Sequence, residues 1–161
     1  MMERVNKILQ HPTYKACLRQ IYELEAGRIF CGHDMAHFLD VARLAYIFNL
    51  EEHLQIEKER IYAAALLHDV GRHIQYREGK PHQEAGLPFA EEILKDCDFT
   101  EEERMDILEA IARHRDVTVK QEPTLAGIIY RGDKTSRHCF GCMAEAECNW
   151  SDEKKNLKID Y

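Results

Sequence analysis

The chain has 161 residues, the size of one domain with room for a single core. Its 22 Lys and Arg stand against 29 Asp and Glu, a formal net charge of −7, which argues against a general binder of nucleic-acid backbone. Hydrophobic residues at 45% exclude disorder by composition, and the longest uncharged apolar run, Ile61 to Leu67, is far too short to span a bilayer. Glu3, Arg4 and Lys7 precede any apolar stretch, so no signal peptide is readable and a soluble cytoplasmic protein is expected.

No stretch alternates like a half-buried strand, and most segments carry helical periodicity. A short helix is predicted over about 3–9 and a second from Pro12 to about Ala26, with Pro12 in the first turn and Gly27 just past the end. From about Asp34 to Phe48, the residues Phe38, Val41, Ala42, Ala45 and Phe48 form one apolar stripe, and Asp34 suits the N-cap. Glu57 to Val70 is the most apolar helix, punctuated by Gly71, and Arg72 to Pro81 reads as a loop. Helices follow from about His82 to Lys95, Thr100 to His114, and Pro123 to Arg137. Thr100 and Glu103 are spaced as a capping box. The expected fold is all-α: a bundle of six to seven helices over residues 1–137. Residues 138–161 form a short Cys-rich tail packed on the same domain.

Nine His and six Cys are many for this length. With no export signal and enough chain for a core, the cysteines read as thiols or metal ligands rather than disulfides. His37 lies on the apolar stripe, His68-Asp69 closes the most apolar helix, His82 opens the next, His114 ends the one after, and Asp133 lies in the last helix. Each alone is bland, since a lone histidine on an apolar face is more often a satisfied core group. Burying all six without mutual satisfaction would cost several kcal/mol each. Divalent metals would satisfy them together, and imidazole with carboxylate suits Fe, Mn, Zn or Co. His68 and Asp69 project about 100° apart on a helix, which makes Asp69 the natural bridging carboxylate of a dinuclear centre.

The order His, His-Asp, His, His, Asp resembles the HD-domain metallophosphohydrolase superfamily. The matching stretches are H-F-L-D-V-A-R-L-A (37–45), A-A-L-L-H-D-V-G-R (64–72), H-Q-E-A-G-L (82–87), I-L-E-A-I-A-R-H (107–114) and I-I-Y-R-G-D-K (128–134). The phrases around His82, His114 and Asp133 look most like the HD-type diadenosine tetraphosphate hydrolases. The resemblance implies an HD-domain helical bundle and two metals, iron, manganese or another transition metal, held by His37, His68, Asp69, His82, His114 and Asp133. It also implies hydrolysis of a phosphoester or phosphoanhydride in a small phosphorylated substrate such as a nucleotide, by a water whose pKa the metals lower. The chain departs from that pattern at Arg72 (usually Lys), Arg115 (usually Thr) and Gly132 (usually Ala), and in a short Gly71–His82 connection. These changes leave the substrate open.

Asp69 is the expected catalytic carboxylate, with Arg72, Lys134 and Arg137 as phosphate clamps, whose bland alternative is an ordinary surface salt bridge. His33 shares a helical face with His37 and is a candidate for lining the site or moving a proton, and His73 is expected near the site mouth. His11 and His53 read as surface residues. In the tail, Cys139, Cys142 and Cys148 supply three ligands for zinc or an iron–sulfur cluster, with a fourth open among His138, Cys31, Cys17 and Cys97. Packed reduced thiols or a redox disulfide explain them equally well. Two other functions compete with hydrolysis: a mixed-valent di-iron oxygenase on the same ligand set, and a noncatalytic regulator binding metal or nucleotide.

Overall fold

The computed structural model describes residues 1–161, and every element in it is helical. The α-helices are α1 (Glu3–Gln10), α2 (Pro12–Leu24), α3 (Met35–Glu51), α4 (Lys58–Leu67), α5 (Arg72–Glu78), α6 (His82–Ala85), α7 (Leu87–Asp96), α8 (Glu101–Arg113) and α9 (Leu125–Thr135). Two 3-10 turns cover Val117–Gln121 and Cys139–Gly141. No helix is long and apolar enough to cross a membrane.

The most apolar helix is the central one. Ile61 and the run Ala63–Leu67 of α4 are fully buried, so α4 carries no polar face over that stretch. It is enclosed by α1, α3, α8 and α9. The small residues Ala63, Ala64 and Ala65 let those neighbours approach closely, while Leu66 and Leu67 fill the core with Phe38, Ile107, Ile111 and Ile129.

The expected caps are in place. The Asp34 side chain accepts from His37 N at 2.9 Å at the start of α3. Thr100 and Glu103 make both bonds of the capping box that opens α8. The final helix begins two residues later than Pro123, because the Thr124 side chain accepts from Gly127 N and so takes the N-cap position.

Two elements differ from expectation. Residues 72–81 are not all loop: Arg72–Glu78 form α5, since no glycine or proline interrupts them until Gly79, which ends the helix with φ 75°. The helix expected over 82–95 is broken at Gly86 into α6 and α7, with Pro88 in the first turn of α7.

Beyond α9 the chain folds back on the bundle. Asn156 Nδ2 donates to the carbonyls of Lys134 (2.7 Å) and Arg137 (3.0 Å), and Phe140 N–H donates to Asn156 O at 3.0 Å.

Candidate metal centre

Five helices converge on one buried cluster. His37 comes from the first turn of α3 and Asp133 from the interior of α9. His68 and Asp69 follow α4 directly, His82 opens α6, and His114 caps α8. All six are buried.

Glycines set the close approaches. A Cβ on Gly71 would come within 2.3 Å of His82 O, so only glycine lets the turn carrying His68-Asp69 lie against α6. A Cβ on Gly132 would meet Val41 O at 2.8 Å, where α9 crosses α3 and brings Asp133 to His37.

Asp69 stands between two sets of imidazoles. Its Oδ2 lies 3.0 Å from His68 Nε2 and 3.6 Å from His37 Nε2. Its Oδ1 lies 3.0 Å from His82 Nε2 and 3.9 Å from His114 Nε2. Asp133 Oδ1 completes the first set, 3.5 Å from His37 Nε2 and 3.7 Å from His68 Nε2. Two triads are therefore tight enough to hold a metal ion: His37, His68 and Asp69, and Asp69, His82 and His114.

The hydrogen-bond partners determine which ring nitrogen faces inward. His68 Nδ1 donates to Ala65 O at 2.7 Å, and His114 Nδ1 donates to Ile111 O at 2.7 Å. A carbonyl only accepts, so those Nδ1 atoms carry the proton and each neutral ring presents a lone pair at Nε2. Gln75 Oε1 does the same for His82. Ser136 Oγ, which donates to Asp133 O at 2.8 Å, accepts from His37 Nδ1 at 3.2 Å. This is the outer support that metal-ligating histidines receive.

Two acceptors of the cluster then lack a protein donor. His68 Nε2 and Asp69 Oδ2 are buried without a hydrogen-bond partner. Burying such acceptors unpaired is costly, and a divalent cation satisfies both, so the residues present fit a metal.

Charge follows the same layout. Burial opposes ionisation, yet the His68 and Arg72 charges hold Asp69 well below the usual carboxylate range. The close approach of the His37 and His68 rings overcomes burial at Asp133 in the same way. His68 is buried, yet without a metal Asp69 and Asp133 carry its pKa up to about 9, so its Nε2 then takes up a proton that a bound cation would displace. Burial, reinforced by the His68 charge, pushes His114 down to about 3.

The remaining expected residues fall in different places. Arg72 Nε donates to Asp69 Oδ1 at 3.0 Å, and Lys134 Nζ donates to Asp133 Oδ2 at 2.6 Å. Arg137 is buried, its Nη1 donating to Gly32 O at 2.8 Å and its Nη2 to His37 Nε2 at 3.1 Å. His33 reaches the cluster, with Nε2 3.9 Å from Asp69 Oδ2. His73 is not at a mouth. It is buried on α5 against the Phe89 ring, and its Nδ1 donates to Val70 O at 2.8 Å. Cys139, Cys142 and Cys148 lie together in the tail, and the structure gathers Cys31 beside them. His11 caps α2 by accepting from Thr13 N and lies 3.3 Å from Asp96, a partner that was not foreseen.

Sequence reasoning missed Glu25, Gln75, Tyr76 and Ser136. Glu25 sits behind His33: its Oε2 accepts from His33 N at 2.8 Å, and its Oε1 accepts from His33 Nδ1 and Tyr76 OH. These donors overcome burial and lower the Glu25 pKa to about 2. Ser136 was within reach of a sequence argument, three residues after Asp133 on one helical face. Glu25 and Gln75 carry no such signal, because other elements bring them in.

Comparison with known proteins bears on the family and the fold. The HD domain family matches residues 35–138. An uncharacterized protein of Clostridium beijerinckii is 45% identical over 160 residues, covering 99% of this chain and 100% of that protein. Ribonuclease Y of Oleidesulfovibrio alaskensis is 26% identical over 148 residues; the match takes in 92% of this chain but only 26% of that protein. A crystal structure of a predicted HD superfamily hydrolase from an uncultured Thermotogales bacterium shares the fold. Its TM-score is 0.59 at 23% identity, over 89% of this chain and 81% of that one.

Proposed function

The chain belongs to the HD domain family, and from that premise we propose that it is a cytoplasmic, dinuclear metal-dependent phosphohydrolase acting on a small phosphorylated substrate, in first place a nucleotide. The observation that carries this reading is Asp69, whose two oxygens each face a different pair of imidazoles. Under this reading His37, His68, Asp69 and Asp133 hold one ion, iron or manganese, and Asp69, His82 and His114 hold the other. When bound, such metals supply a water of lowered pKa and a Lewis acid for phosphoryl oxygens.

The other roles belong to the chain. Asp69 and Asp133 bring fixed negative charge, the Nδ1 anchors keep the Nε2 lone pairs of His68, His82 and His114 aimed into the cluster, and that of His37 accepts from Arg137. The cluster is buried, and the partly exposed cationic side chains bonded to it are Arg72 and Lys134. A phosphate approaching the centre meets these two first. Arg72 commits Nε to Asp69, which leaves its two terminal nitrogens for phosphoryl oxygens. Arg137 already donates to Gly32 and His37, so its role is to position His37 rather than to clamp a phosphate.

His33 and Glu25 form a proton-transfer pair. The Glu25 carboxylate holds the proton on Nδ1, so the neutral ring turns a basic Nε2 toward Asp69. Burial keeps the His33 pKa below its ordinary value, so the ring is neutral and able to accept a proton at pH 7.

The test is phosphate release from a panel of nucleoside polyphosphates, including diadenosine tetraphosphate, and simple phosphoesters, with Mn or Fe(II). Release that disappears in Asp69→Asn supports hydrolysis. Oxygen consumption without phosphate release would replace it with the di-iron oxygenase reading. The name Ribonuclease Y makes a short RNA a sensible member of the panel, although the net charge of −7 disfavours long RNA.

A further inference from the structure

Residues 138–161 pose a physical problem. Only Cys139 and Ala144 among them are buried, while Phe140, Met143, Trp150, Leu157 and Ile159 are exposed. So little buried apolar surface cannot offset the entropy of ordering the segment. The tail nevertheless makes a defined series of turns. Cys142 N–H donates to Cys139 O at 3.2 Å, Cys148 N–H donates to Glu145 O at 3.2 Å, and Lys155 N–H donates to Ser151 O at 3.2 Å. Besides the Asn156 bonds to Lys134 O and Arg137 O, a further interaction must hold it.

Four of the six cysteines, Cys31, Cys139, Cys142 and Cys148, line one cavity of about 240 Å³. Their sulfurs are more widely spaced than the ligand atoms of the His/Asp triads, which lie within 4.8 Å of one another. No disulfide joins any of them. Cys31 arrives from the loop between α2 and α3, more than a hundred residues away in sequence. Arg28 Nε holds that loop by donating to Cys31 O at 2.9 Å, and Arg137 Nη1 ties the neighbouring Gly32 O to the end of α9 at 2.8 Å. Cys17 and Cys97 lie apart, in the apolar core.

We propose that Cys31, Cys139, Cys142 and Cys148 form a four-thiolate metal site, distinct from the His/Asp cluster, that fastens the tail and the Cys31–His33 loop to the bundle. Four cysteines from two separated stretches are the donor set of structural zinc and of iron–sulfur clusters. In either case four thiols give up their protons and the binding free energy becomes folding free energy, which is what the tail lacks. Zinc, at about 2.3 Å from each sulfur, gathers its ligands around one point. A cavity of about 240 Å³ leaves room for an iron–sulfur cluster instead. Arg28 lines the same cavity and opposes part of the negative charge of four thiolates, while Lys155, also in the lining, is paired with Glu145 and Asp152. The site also bears on the candidate centre, since Cys31 is two residues from His33 and Cys139 is three from Ser136, which supports His37.

The experiment is anaerobic purification of the full chain followed by assay of zinc, iron and acid-labile sulfide, repeated for Cys31→Ser, Cys142→Ser and His82→Ala. The expected result is a metal fraction lost in both cysteine variants and kept in His82→Ala. Iron with matching sulfide and visible charge-transfer absorption identifies a cluster; zinc without sulfide identifies a single ion. Either carries the proposal. Metal content unchanged by both cysteine variants overturns it, as does a Cys139–Cys142 disulfide in the peptide map of the untreated protein. Should the variants fail to fold, alkylation of the wild-type protein decides. The four thiols should be protected together and become reactive together on chelation, while Cys17 and Cys97 stay unreactive. Immediate alkylation of the four without chelator overturns the proposal.

Discussion

Nε2 of His82 lies 3.0 Å from Nε2 of His114, and in the neutral rings neither atom carries a proton, because Gln75 and the Ile111 carbonyl take the two Nδ1 protons. Two lone pairs at that distance repel unless a cation or a proton lies between them. Metal removal should therefore destabilise the fold. A ligand at about a hundred times its Kd stabilises by about 2.7 kcal/mol. At about 2–4 °C per kcal/mol for a chain of this size, adding manganese to chelator-treated protein should raise Tm by roughly 5–10 °C. No rise on addition of Mn, Fe(II), Zn or Co would remove the metal reading.

His82→Ala should separate the two ion positions. His82 faces only Oδ1 of Asp69, whereas His37 and His68 face Oδ2. The variant should lose one of two bound metals and retain the other, measured by elemental analysis after gel filtration. Asp69→Ala should lose both, with activity falling by at least about 10²–10³, the scale for removing one preorganised electrostatic group. Equal metal loss in the two variants would mean that the ions do not occupy separate positions.

The pH dependence of the metal-free chain has a worked sign. His68 is raised from 6.5 to about 9, so the stability it contributes is complete below pH 6.5 and lost as pH rises through about 9. His114 is lowered from 6.5 to about 3, so the unfolded chain takes up its proton first and stability is lost as pH falls below 6.5. His33 and His82, both lowered by burial, add to the acid limb. Urea midpoints of chelator-treated protein should peak near pH 6.5. With manganese present the alkaline decline should vanish, since the ion takes the place of the His68 proton. A midpoint that stays flat between pH 6.5 and 9 in chelator would contradict the assignment.

The six converging residues were legible because each is tied to a helix end or an apolar stripe that periodicity locates. What holds them was less legible. Gln75 supports His82 from α5, a helix read as loop because seven residues with one buried side chain carry little periodic signal. Glu25 reaches His33 only after the loop past Gly27 turns back. His73 misled through proximity in sequence, since its ring packs on Phe89 and donates to Val70 O instead. Gly132 appeared as a departure from the resembled pattern, and its reason is steric: Val41 O lies where a Cβ would sit.

Gly132→Ala is accordingly informative. The added methyl would meet Val41 O at 2.8 Å, and that atom is backbone, so α9 must move away from α3. Overpacking of this kind costs about 1–3 kcal/mol. Because Asp133 is the next residue, the same shift lengthens its approach to His37 and His68. The expected outcome is a lower urea midpoint together with weaker metal retention. A lower midpoint with unchanged metal affinity would show that the crossing of α3 and α9 does not set the ligand geometry.

Arg72 and Arg137 test the division between binding and positioning. Arg72 is partly exposed and keeps its terminal nitrogens uncommitted after donating Nε to Asp69. Arg72→Lys preserves a charge but loses the planar fork that matches two phosphoryl oxygens. Its metal content should stay at the wild-type level while kcat/KM for a phosphorylated substrate falls, by about 10–100-fold for a loss of roughly 1.4–2.7 kcal/mol of charge-assisted bonding. Arg137 is buried against His37 and Gly32, so Arg137→Lys should instead weaken metal retention and lower the urea midpoint. If Arg72→Lys lost metal while Arg137→Lys lost only substrate affinity, the two roles would have to be exchanged, and the approach of phosphate would lie on the Gly32 side of the centre.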